Sequence, residues 1–127
     1  MSTARGTLQA ATTISKTTQT LIGAEIQCGG YDFITLFFDY VKGDETGLLV
    51  KALFMQAPGG TAYQDQSWTA AAGTKSSTAN QYTATATGNH FVTFDIRGIE
   101  FVKFTQGGSA NDGTPTGTLA AAYVMKG

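Results

Sequence analysis

The chain has 127 residues, 13% of them charged and 42% hydrophobic, with a formal net charge of −1. That length suits one domain able to close a core without staples, and the charge content is about half the ~25% usual for globular proteins. The eight basic residues are scattered and only Arg5 and Arg97 are arginines, which excludes the clustered basic surface of a nucleic-acid binder, while the lone Cys28 excludes an intrachain disulfide.

Residues 1–16 are rich in Ser, Thr and Ala, and beyond Met1 their only large aliphatics are Leu8 and Ile14. They read as an extended N-terminal arm or a frayed end, leaving 17–127 as a single domain. The start shows no apolar stretch of signal-peptide length, and nowhere does the chain approach the ~20 apolar residues of a membrane helix. The expectation is a protein folded in a cytoplasm with no membrane partner.

Thr18 to Gln27 alternates, with Ile22, Ala24 and Ile26 on one side, and Gly29-Gly30 then turns the chain. Tyr31 to Val41 is a strand with Ile34, Leu36, Phe38 and Tyr40 on one face and Phe33, Thr35, Phe37, Asp39 and Val41 on the other. After the polar turn Lys42–Gly47, a second run from Leu48 to Gln56 sets Val50 and Phe54 against Leu49, Leu53 and Met55. The two runs read as a hairpin. Ala57-Pro58-Gly59-Gly60 ends it, and residues 57–80 form a long polar connection carrying Tyr63 and Trp68. A weak strand follows over 79–86, then clear strands over 91–97 and 99–106, a turn-rich loop over 107–117 and a last strand over 118–126.

About eight short strands with turn signals between them indicate an all-β fold. One long central connection suits a two-sheet antiparallel sandwich of jelly-roll type; an up-and-down barrel is the alternative.

No constellation for catalysis stands out, and no cofactor is called for. His90 is the sole histidine and reads as part of the Gly88-Asn89-His90 turn, with Asp95 on the opposite face. Asp32 and Asp39 also fall on opposite faces, and Asp44-Glu45 reads as a solvated turn. Calcium at Asp44-Glu45 or Asn111-Asp112 is weaker than plain turn chemistry. Gly73-Thr-Lys-Ser-Ser77 lacks the spacing of a phosphate loop. Tyr63, Trp68 and Tyr82 form a possible ligand platform, most plausibly for carbohydrate, unless Trp68 plugs one end of the sandwich.

The stronger signal is surplus apolar surface. Phe33 and Phe37 oppose Ile34, Leu36 and Phe38; Leu49, Leu53 and Met55 oppose Val50 and Phe54; and Ile99 and Phe101 oppose Val102 and Phe104. Contiguous apolar surface of this kind marks an interface, so a homo-oligomer sealed by Phe33, Phe37, Leu49, Leu53 and Met55 is expected, a curled barrel being the competitor. Closed rotational symmetry is the default, with a trimer as the working guess.

Three stretches in order carry a resemblance: Gly30-Tyr-Asp-Phe-Ile-Thr-Leu-Phe-Phe-Asp-Tyr40 after a polar arm; Leu48-Leu-Val-Lys-Ala-Leu-Phe-Met-Gln56 before a Trp68-containing loop; and His90 to Phe104 before a glycine-rich loop and final strand. In strand order and turn placement, residues 18–126 resemble the small jelly-roll structural proteins of tailed-phage virions, used as capsid decoration (cement) or accessory proteins. The resemblance implies a virion component assembled in the host cytoplasm, without enzymatic activity. Its partners would be further copies of itself and capsid or other virion proteins, with the 1–16 arm lying along a neighbouring subunit.

Overall fold

Period-two alternation decides which side of each strand meets water, and the two apolar sets of this chain close on one another as two sheets. The computed structural model describes residues 2–16, 18–64, 80–110 and 114–127. Its strands are β1 (Thr3–Thr13), β2 (Thr20–Leu21), β3 (Ile26–Gln27), β4 (Phe33–Val41), β5 (Leu48–Met55), β6 (Gln81–Ala84), β7 (Gly88–Asp95), β8 (Phe101–Gly108) and β9 (Thr118–Lys126). Sheet A runs β1-β9-β4-β7; sheet B runs β2-β8-β5-β6, with β3 also on β8.

The halves of the chain mirror each other. β1 pairs with β9, β2 and β3 with β8, β4 with β7, and β5 with β6, all antiparallel. A long hairpin rolled up in this way is a jelly roll, and the connection between β5 and β6 is its tip. Among the described residues the sheets end in open edges, β1 and β7 in one and β2 and β6 in the other, so the barrel alternative is not what forms.

Two expectations change. β4 and β5 are not a hairpin: β4 lies between β7 and β9 while β5 lies between β6 and β8, and Lys42–Gly47 carries the chain from one sheet to the other. Six residues reach roughly 20 Å, ample for the ~10 Å between packed sheets, so loop length alone does not separate a turn from a crossing. Residues 3–13 lie along this chain's own β9 as an edge strand rather than along a neighbouring subunit, and Ile14 just beyond is buried in the core.

The core lies between the sheets. Ile34, Leu36, Phe38 and Tyr40 of β4 face Leu48, Val50, Ala52 and Phe54 of β5. Phe94 and Phe104 meet across the gap with ring centroids 5.7 Å apart, and Phe38 meets Tyr82 edge-on at 5.6 Å. Burying each such ring stabilises the fold by about 1.5–3 kcal/mol. Gly23 interrupts the 18–27 run into β2 and β3: its φ of +66° is left-handed, and a Cβ there would stand 2.3 Å from the Leu8 carbonyl oxygen.

Candidate functional site

With Ile34, Leu36 and Phe38 committed to the core, alternation turns Phe33, Phe37 and Val41 to the outside of sheet A. They are 43%, 45% and 56% exposed, and Phe91 of β7 is 66% exposed. Phe91 stands directly beside Phe37 in register, with ring centroids 6.1 Å apart. Thr35 and Thr93, the next pair along, share a hydroxyl hydrogen bond of 2.8 Å. Arg97 lies over the Phe33 ring, 5.6 Å from its centroid, and is fixed by Asp95: Nη2 donates to Oδ2 at 2.5 Å and Nε to Oδ1 at 3.0 Å. Those hydrogen bonds hold the Asp95 carboxyl below its ordinary range and raise Arg97.

The other half of this face differs in kind. β9 presents Ala120, Ala122, Val124 and Lys126 beside β4, and β1 presents Thr3, Arg5 and Thr7 beyond them. Small side chains next to large ones leave two open hollows on either side of Phe37. One, of about 560 Å3, is bounded by Arg5, Phe33, Val124 and Lys126; the other, of about 330 Å3, by Thr7, Ala10, Ala120 and Ala122. The outer face is thus an aromatic ridge over β4 and β7 beside an alanine-lined trough over β9 and β1.

The expected interface residues do not form one patch. Phe33 and Phe37 lie outside sheet A, whereas Leu49 and Leu53 lie half-buried outside sheet B, across the whole sandwich. Met55 is a further correction: at 2% exposure it offers a neighbour almost nothing, because β5 buries both Phe54 and Met55 at its end. Phe91, the most exposed large hydrophobic residue among the described residues, escaped the sequence reading, although its alternation with Phe94 carried the signal.

The possible ligand platform is not assembled among the described residues. Tyr82 turns inward onto Phe38. Tyr63 is 53% exposed and bridges to Phe54, while Tyr82 pairs with Val50, roughly 13 Å away along β5. Trp68, the Gly73–Ser77 segment and Asn111-Asp112 lie outside the described residues.

His90 belongs to β7 rather than to a turn, and its ring stacks on Phe38 at 5.3 Å. Glu45 is not a solvated turn acid. It is 1% exposed, with Oε2 accepting from the Tyr40 hydroxyl and the Gly43 amide (2.9 Å), and Oε1 from the amides of Thr116 (3.1 Å) and Gly117 (2.9 Å). Burial opposes its charge, but these donors outweigh it and lower the carboxyl to about 2. Cys28 is fully buried, and burial together with Glu100 pushes its thiol up to about 11. Among the described residues no three of His, Cys, Asp and Glu gather as a metal would require.

These features define a jelly-roll sandwich whose one outer face is corrugated and largely apolar. Similar solved structures include the SPBc2 prophage-derived protein YomS, with a TM-score of 0.57 and 16% identity over 98% of this chain and 92% of that one. A chain from Bacillus endospore appendages, described as a novel family of disulfide-linked pili, gives 0.55 and 11% over 98% and 87%. At such identities the likeness is one of fold. No family model and no curated protein matches the sequence.

Proposed function

We propose that this chain is a non-enzymatic structural protein of a virion, a capsid decoration or cement protein assembled in the host cytoplasm, and that its copies associate through the outer face of sheet A. The observation that carries the reading is the ridge of Phe33, Phe37 and Phe91, each more than two-fifths exposed on one continuous face. A jelly roll shared with a prophage-derived protein supports it. So does the engagement of the charged groups that catalysis would draw on: Asp95 is held by Arg97, Glu45 by four donors, and His90 by Phe38.

The magnitudes favour reversible association. Covering the exposed halves of six rings, three per copy, releases on the order of 15 kcal/mol at ~25 cal/mol per Å2. Association itself costs roughly 4–15 kcal/mol, so the surplus lies between about zero and 11 kcal/mol, and a buried unpaired charge costing several kcal/mol removes much of it. Leu49 and Leu53, on the far side, are then candidates for a second contact, with the capsid lattice. Sedimentation equilibrium tests the reading: the native chain should associate with rising concentration, and Phe37→Asp should give a folded monomer. A native chain that stays monomeric at several hundred micromolar overturns self-association; a chain that fails to decorate candidate capsids under negative stain overturns the cement role.

A further inference from the structure

The outer face of sheet A fits a second copy of itself in one particular way. This rests on the reading that the face is an association face, and it goes on to specify the mate and the symmetry. Along one row the residues run Phe91, Phe37, Ala122, Thr7 from β7 to β1; along the next they run Thr93, Thr35, Val124, Arg5. The first row is therefore large on the β7–β4 half and small on the β9–β1 half, while the second dips at Thr93 and Thr35 and rises at Val124 and Arg5. We infer that two copies pack face to face about a two-fold axis running along the strands between β4 and β9. That rotation lays each ridge into the other copy's trough, so that Phe37 enters the hollow beside the partner's Ala122 and Phe91 covers the partner's Thr7.

The basic trough meets a carboxylate of the ridge rows. The Asp95–Arg97 ion pair stands on the ridge half, and Arg5 and Lys126 stand on the trough half; the rotation brings the outward carboxylate of that pair near the partner's Arg5 and the partner's Lys126. A two-fold axis across the strands would instead stack ridge on ridge and leave the troughs empty, forfeiting the packing contacts that void-lining atoms lose. The trimer expected from sequence would need two different complementary patches, whereas here both halves of the match lie on one face, as an isologous contact requires. Area is sufficient: four strands of this length present roughly 550 Å2 per copy, or about 1,100 Å2 for the pair, above the ~1,000 Å2 a specific interface needs.

The test cross-links two single-cysteine surface variants, Arg5→Cys and Thr93→Cys, prepared separately and then mixed with a short bis-maleimide. In the two-fold pair, position 5 lies opposite the partner's position 93 across ~10 Å, while like positions are roughly 17 Å apart. Buried Cys28 stays silent, as the unmodified chain will show. The expected result is a covalent dimer in the mixture that is lost in either preparation alone. A Thr93→Cys preparation that cross-links with itself, or a mixture that does not cross-link while sedimentation still shows association, overturns this pairing and leaves the association reading standing. If sedimentation shows no association at all, that reading fails and the pairing falls with it.

Discussion

The Tyr40 hydroxyl donates to the Glu45 carboxylate, five residues on, and both side chains are 1% exposed. Three amides complete the cage, two of them from Thr116 and Gly117 in the approach to β9. One carboxylate thus ties the crossing between the sheets to the start of the last strand.

Its pH dependence has a definite sign. The folded carboxyl lies near 2, below its ordinary 4.5, so folding favours the ionised form. The resulting stability, about 3 kcal/mol, is fully present above pH 4.5 and is lost as pH falls towards 2. Glu45→Gln keeps the shape but offers an NH2 where donors point, leaving at least one amide unpaired at about 1–3 kcal/mol. Urea midpoints measured from pH 7 to 2.5 should fall for the native chain below pH 4.5. They should start lower and fall less for Glu45→Gln; parallel curves would show that the cage carries no linked proton.

The alternation of β4, β5 and β9 was legible because each buries one face, which fixes every side chain's direction. The outward Phe33 and Phe37 followed from the same rule. The partners of each strand were not legible, since Lys42–Gly47 suits a hairpin or a crossing equally, and Leu49 therefore seemed to adjoin Phe37 when the whole sandwich separates them. β1 was hidden because an edge strand lying on Ala and Thr of β9 needs no large apolar residues of its own. The Glu45 cage was invisible because its donors, Thr116 and Gly117, are more than 70 residues away.

Cys28 should behave as a core residue. With its thiol near 11 and its surface fully covered, almost no thiolate exists at pH 8. Iodoacetamide labelling should be slow in buffer and immediate in denaturant, and non-reducing gels should show no disulfide-linked dimer. Rapid native labelling would place Cys28 at an opening rather than in the core.

Gly23 and Gly59 share a φ of +66°, yet their surroundings differ. A Cβ at Gly59 meets nothing within 4 Å, whereas at Gly23 it would stand 2.3 Å from the Leu8 carbonyl oxygen. Gly59→Ala should cost only the left-handed strain, about 1 kcal/mol. Gly23→Ala should cost at least about twice that, because β1 must also shift. Equal denaturation midpoints for the two variants would mean that the β1 contact does not constrain this corner.

Phe37 and Phe38 are adjacent in sequence and should respond oppositely. Phe38 is 1% exposed and touches both Tyr82 and His90. Its replacement by Ala should remove about 3–5 kcal/mol of stability. Phe37 is 45% exposed and within the chain meets the Phe91 ring, so Phe37→Ala should cost the isolated subunit less, about 1–3 kcal/mol. Association should show the reverse order: Phe37→Ala weakens it sharply, while any Phe38→Ala protein that folds still associates. Denaturation midpoints at low concentration and sedimentation at high concentration separate the two effects. A Phe37→Ala chain that associates like the native one would mean that the ridge serves no contact between copies.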